Sequence, residues 1–284
     1  MIVAIASGKG GTGKTTVAVN LAMAWGTDVQ LVDCDVEEPN ARIFLKPEIS
    51  RTEAVSVAVP EVNESLCTAC GLCSQMCRYN AIAALGAKAL VFPEMCHSCG
   101  GCALVCPEKA ITEKDRVIGT LDIGQRGKVR FVEGRLNVGE AMAPPMIRAA
   151  RRTINNEVPA IIDCPPGTSC PVVAALRGAD VALLVTEPTP FGLHDLTLAV
   201  ETVRQLRIPL GVVLNRVGAG DDRVHAYCAR ERIPILLEIP DDRRIAEAYS
   251  RGELIITALP EYASAFSRLM RSITQTLEKA NRFG

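Results

Sequence analysis

The chain has 284 residues, 48% of them apolar, enough for a sizeable core in one large domain or a domain plus a module. Its 31 basic and 32 acidic residues leave a formal charge of −1, which excludes a global field favouring nucleic acid or an anionic membrane. Twelve cysteines in a chain of this size point to metal binding rather than a disulfide scaffold, and eight of them fall between Cys67 and Cys106.

The apolar stretch Met1 to Ala6 is too short for a signal-peptide core, and no later run reaches membrane-spanning length, so a cytoplasmic protein is expected. Ile2 to Ala6 is a strand candidate, and Thr15 to Trp25 has helical apolar spacing. Between them "GKGGTGKT", Gly8 to Thr15, satisfies the G-x-x-x-x-G-K-[ST] pattern in the strand-loop-helix context it needs. Backbone amides of Gly8, Gly10, Gly11, Thr12, Gly13, Lys14, Thr15 and Thr16 are expected to surround nucleotide phosphates at a helix N-terminus. Lys14 should reach the β- and γ-phosphates, and the Thr15 hydroxyl should ligate Mg²⁺.

Val29 to Val32 is a second buried-strand candidate, ending at Asp33 in "DCDVEEPN". Between about Pro60 and Lys114 the strand-helix pattern stops and cysteines take over. Cys67, Cys70, Cys73 and Cys77 form C-x₂-C-x₂-C-x₃-C, and Cys96, Cys99, Cys102 and Cys106 repeat it 29 residues later, followed by Pro107. Such paired runs point to two [4Fe-4S] clusters, each with three cysteines from one run and the fourth from the other. The expected sets are Cys67, Cys70, Cys73 with Cys106, and Cys96, Cys99, Cys102 with Cys77. Two tetrahedral zinc sites are the competing reading, but zinc modules favour well-separated C-x₂-C pairs.

Val117 to Gly119 and Val129 to Val132 suggest a hairpin leading back to the main domain. The expected organisation is therefore one α/β domain, 1–59 and 115–284, interrupted by a small α+β ferredoxin-like module at 60–114. Apolar runs at Ala160 to Ile162, Val181 to Val185, Leu210 to Leu214 and Ile235 to Ile239 alternate with helical patterns, which argues for a mostly parallel sheet with helices on both faces. In the last stretch, Phe266, Leu269, Met270, Ile273 and Leu277 share one helical face, expected to pack on the core rather than on a membrane. Cys34 and Cys228 read as buried structural thiols.

"KGGTGKT" carries a second lysine, Lys9, and resembles the deviant Walker A loop of the MinD/ParA group, which includes Mrp-type cluster carriers and the nitrogenase iron protein. The resemblance covers the chain apart from the cysteine insertion. It implies a P-loop ATPase that forms an ATP-dependent homodimer, with Lys9 reaching the partner's phosphates. It also implies that "DCDVEEPN" is switch I, with Asp35 orienting the attacking water and Asp33 supporting Mg²⁺ or the loop. "IIDCPPG", Ile161 to Gly167, is similar to the Walker B and switch II element, where Asp163 holds a magnesium-bound water and the Gly167 amide senses the γ-phosphate. Asn215, Pro240 and Asp241 match adenine-binding positions of the group. Cys170 lies seven residues after Asp163, at the offset of a cluster ligand in the nitrogenase iron protein, but no cysteine matches that protein's other ligand.

These readings give an ATPase that couples ATP to electron transfer toward an unidentified redox or iron-sulfur partner, with ATP, Mg²⁺ and two [4Fe-4S] clusters as cofactors. Neither nucleic acid nor membrane is expected as a partner. The alternatives are an Mrp-type cluster carrier, which lacks its C-x-x-C pair here, and a redox-sensing positioning ATPase of the MinD/ParA sort.

Overall fold

The computed structural model describes residues 1–283; Gly284, the last residue of the expected ATPase domain, lies outside the described residues. In chain order the elements begin with β1 (Ile2–Ala6), α1 (Lys14–Ala24), β2 (Val29–Asp33), α2 (Ala41–Leu45) and β3 (Glu48–Val62). The cysteine region follows with α3 (Leu72–Met76), β4 (Ile82–Leu85), β5 (Lys88–Val91) and α4 (Gly101–Leu104). Then come β6 (Ile111–Arg126), β7 (Val129–Leu136), α5 (Ala143–Arg152), β8 (Ala160–Asp163) and α6 (Cys170–Leu176). The chain closes with β9 (Val181–Thr186), α7 (Pro190–Gln205), β10 (Leu210–Val217), α8 (Arg223–Arg230), β11 (Ile235–Pro240), α9 (Arg243–Ser250), α10 (Ile255–Ala258) and α11 (Ala263–Phe283).

The chain divides into two compact units. One comprises Met1–Thr52, Leu121–Arg135 and everything from Ile147; the other comprises Glu53–Thr120 and Leu136–Met146. A nine-stranded sheet runs in the order β11-β10-β9-β1-β8-β2-β7-β6-β3. Every pairing from β11 across to β7 is parallel, and the two-residue link at Gly127 makes β6 and β7 a hairpin.

In the first unit, alternate strand residues serve opposite faces. Val3, Ile5, Leu31, Ile161 and Leu183 pack with Val17 and Leu21 of α1 and with Phe266, Leu269 and Ile273 of α11. Met270 and Leu277 pack partly buried against the same core, so the apolar stripe of the last helix covers the sheet. The intervening Ala4, Val32, Ile162 and Leu184 are equally inaccessible, and α6 and α7 lie against β1 and β9. Burial on both faces is why these parallel strands read as continuous apolar runs. α1 is buried nearly all round, which fits its apolar composition on every side.

The second unit has its own small core, in which Cys73, Ile82, Ala89 and Ile111 gather partly buried cysteines around them. β4 and β5 pair antiparallel, Ile82 opposite Val91. The fifteen-residue β3 is absent from the sequence expectation because its residues are mostly charged, small or half-exposed, leaving only the short alternation Val55, Val57, Val59 as a signal. No described helix is long and apolar enough to cross a membrane.

Candidate functional site

β1, β8 and β2 are parallel and in register, so their carboxyl ends meet at one edge of the sheet, with Asp33 directly beside Asp163. A cavity of about 1230 Å³, counting space open to solvent, lies there; its lining includes Gly10, Gly11, Gly13, Lys14, Thr15, Thr16 and Asp35. The loop of Gly8 to Gly13 leads from β1 into α1, whose first-turn amides have no side-chain cap. Donors left free in this way favour an anion. Gly13 has φ 98°, and a Cβ there would come within 2.5 Å of the Asn215 amide nitrogen, so the loop accepts only glycine at this position.

Asn215 explains that close approach. Its Nδ2 donates to the Thr12 carbonyl at 2.9 Å, while its Oδ1 accepts from the Arg216 amide at 3.0 Å, tying the end of β10 to the phosphate loop. Asn215, Pro240 and Asp241 all line the same cavity, joined by Arg216 and Tyr249. Tyr249 stands against Phe44 of α2, with ring centroids 4.8 Å apart and planes tilted 37°. Gly167 donates its amide to the Ser7 carbonyl at 3.0 Å.

The three aspartates differ in kind. Asp33 is fully buried, and its carboxylate accepts the amides of Asp35, Asn40 and Ala41 at 3.0, 3.2 and 3.0 Å, stapling the loop between β2 and α2. Burial and the neighbouring Asp163 push its pKa well up. Asp163 is also fully buried, yet among the described residues neither oxygen has a well-formed hydrogen bond, the Thr15 hydroxyl being only nearby. Burial raises its pKa to about 7, against the pull of the nearby Thr15 hydroxyl and Lys14. A buried, orphaned carboxylate beside a hydroxyl fits a cation or a cation-bound water. Asp35 is half-buried, and burial lifts it to about 6 against the attraction of Lys14. Lys9 turns its ammonium toward Glu187, 3.5 Å from Oε2, and Arg216 reaches the other oxygen of Glu187 at 2.7 Å.

The second unit holds two further cavities. One, about 370 Å³ counting space open to solvent, is lined in part by Cys67, Cys70, Cys73 and Cys106; the other, about 410 Å³ on the same basis, in part by Cys77, Cys96, Cys99 and Cys102. Each set takes three thiols from one run and one from the other, and all eight are free of disulfides. α3 and α4 start just after Gly71 and Gly100, which occupy equivalent positions of the two runs. The amides of Ala81 and Ala110 donate to Cys77 and Cys106 Sγ, each at 3.3 Å, and Ser98 donates to Cys96 Sγ at 3.4 Å. Such donors stabilise thiolates. Among the described residues no group of three or more His, Cys, Asp or Glu side chains is placed to hold a single metal ion. His97 stacks on Tyr79 with centroids 3.4 Å apart, beside the second cavity. Of the other cysteines, Cys34, Cys164 and Cys228 are buried, and Cys170 is exposed at the start of α6.

A family model for the CobQ/CobB/MinD/ParA nucleotide-binding domain matches residues 3–255. The chain belongs to this family. Among relatives of this CobQ/CobB/MinD/ParA domain, an uncharacterized protein of Methanocaldococcus jannaschii is 33% identical over 259 residues, spanning 89% of this chain and 90% of its own. An iron-sulfur cluster carrier protein of Aquifex aeolicus is 27% identical over 300 residues, spanning 98% of this chain and 68% of its own. The septum site-determining protein MinD of Pyrococcus horikoshii, solved with Mg-ADP, is similar with a TM-score of 0.62 at 22% identity, covering 96% of this chain and 95% of that one. That likeness shows the α/β P-loop fold.

Glu187, Arg216 and Tyr249 belong to the neighbourhood of the CobQ/CobB/MinD/ParA nucleotide site but to no motif read from the sequence. Glu187 is the residue after an apolar strand, as Asp33 and Asp163 end theirs, and that shared position is the one sequence signal that marks it.

Proposed function

We propose that the chain is an ATP-hydrolysing, nucleotide-dependent homodimer whose cysteine module carries two [4Fe-4S] clusters and passes electrons to a partner protein in the cytoplasm. The observation that carries this reading is a phosphate-loop cavity and two four-cysteine cavities within one chain.

In this reading Lys14 and the opening amides of α1 bind the β- and γ-phosphates. Thr15 and Asp163 would hold Mg²⁺. The bound ion offsets charge on the phosphoryl oxygens. Asp35, with a pKa near 6, is ionised at neutral pH and orients the attacking water. Asp33 fixes the backbone of Asp35, so the water-orienting carboxylate is aimed by a buried neighbour. The Gly167 amide would leave the Ser7 carbonyl to read the γ-phosphate, and Asn215, Pro240 and Asp241 would receive the base. Lys9 serves the phosphates of a second copy.

Cys67, Cys70, Cys73 and Cys106 hold one cluster, and Cys77, Cys96, Cys99 and Cys102 the other. Three cysteines at two-residue gaps in each run suit the corners of a cube of iron and sulfide better than one zinc ion. Bound there, the clusters carry single electrons.

The Aquifex aeolicus relative's name supports a second reading, in which the chain delivers a cluster to an acceptor. Eight ligands built into closed sets favour retention over delivery.

Anaerobic purification with iron and sulfide counting, followed by EPR redox titration with and without ATP and Mg²⁺, tests the proposal. Two low-potential [4Fe-4S] signals that shift with nucleotide are expected. Zinc without iron would sink the clusters, signals indifferent to nucleotide in the presence of a partner would sink the coupling, and iron passing to an apo acceptor would favour the carrier.

A further inference from the structure

Glu187 is held firmly while its side chain serves two loops. Its carbonyl accepts the Thr189 amide at 2.8 Å, and the close pass of Gly192 leaves no room for a Cβ against that carbonyl. The carboxylate, 11% exposed, gives one oxygen to Arg216 at 2.7 Å and the other to Lys9 at 3.5 Å. Arg216 lines the nucleotide cavity with a left-handed backbone at φ 58°, and Lys9 belongs to the phosphate loop. Both cations that flank the loop thus share one carboxylate placed outside every recognisable motif.

We infer that Glu187 is a counter-ion latch, holding Arg216 off the phosphates in its own cavity and Lys9 off those of a second copy, so that nucleotide binding and pairing must exchange carboxylate for phosphate. The inference rests on the nucleotide reading of the cavity. A carboxylate and a phosphate oxygen compete for the same donors, and Arg takes either in the same forked geometry. The latch therefore lowers nucleotide affinity and keeps two cations from attracting other anions. Lys9 and Arg216 are 33% and 55% exposed, so water screens the competition and the effect is modest.

The full chain is titrated calorimetrically with ATP and with ADP, in Mg²⁺, at low and high salt. Glu187→Gln keeps the shape and removes the charge, and should bind both nucleotides roughly three- to tenfold more tightly, with a steeper loss of affinity as salt rises. Arg216→Gln alone should weaken binding, and combining it with Glu187→Gln should cancel most of the gain, because the two act through one contact. Glu187→Gln that binds no better than the parent at an unchanged melting temperature overturns the latch. If Glu187→Gln melts early, Arg216→Gln decides: unchanged affinity overturns the latch, and weakened affinity supports it. A parent chain that binds no nucleotide refutes the nucleotide reading itself, a result distinct from failure of the latch.

Discussion

Asp33 and Asp163 end neighbouring parallel strands in register, both fully buried, and one accepts three backbone amides while the other accepts none. The first builds the loop, and the second is held ready for something outside the chain. This contrast bears on how the stability of the chain depends on pH.

Asp163 has a folded pKa of about 7 and an unfolded one near 4, so the folded state binds the extra proton between those values. Its favourable contribution is complete below about pH 4 and is lost as pH rises through about 7. Denaturant titrations should show the stability advantage of Asp163→Asn growing over that window, reaching roughly 2–4 kcal/mol at pH 8. The same variant should bind nucleotide but lose most of its hydrolysis. A flat difference across pH would refute the account of Asp163.

Asn215→Ala removes the donor to the Thr12 carbonyl and leaves the loop untied. Nucleotide affinity should drop about tenfold, as for loss of a part-buried hydrogen bond. Asn215→Asp should rescue little, because a carboxylate cannot donate to a carbonyl; full rescue in a binding titration would count against the tie.

The cysteine cavities make a crosswise prediction. Cys106→Ser should disturb the same EPR signal as Cys67→Ser, and Cys77→Ser the same signal as Cys96→Ser, although each pair lies in different runs. Each variant should retain about half the iron. Signals that group by run would refute the crossed sets.

Leu269→Ala in α11 opens a hole in a side-chain cluster where no water reaches. A loss of about 2–5 kcal/mol is expected, read as a lower urea midpoint with unchanged slope. A surface helix would lose only tenths.

The parallel strands were legible because a strand covered on both faces must be apolar throughout, as Val181 to Val185 is. Gly10, Gly11, Gly13 to Thr16, Asp35, Asn215, Pro240 and Asp241 line one cavity, since loops at one sheet edge converge whatever their distance in sequence. β3 was hidden by its exposed, charged residues, and the pairing of β7 with β2 by the absence of any local mark of register. Glu187 and Arg216 were hidden for a different reason. Their meaning lies in the contacts of Glu187 with Arg216 and with Lys9 far back in the chain, and no spacing rule encodes them.

The ring contact between Phe44 and Tyr249 joins the helix that follows Asp33 to the far end of the cavity. A ligand that fixes Tyr249 therefore restricts the motions open to Phe44 and α2, and an ordered α2 in turn raises affinity at Tyr249 by the same factor, as linkage requires. Under the proposed nucleotide reading, a ligand with nothing to place against Tyr249 would forfeit that part of the order it could impose on α2.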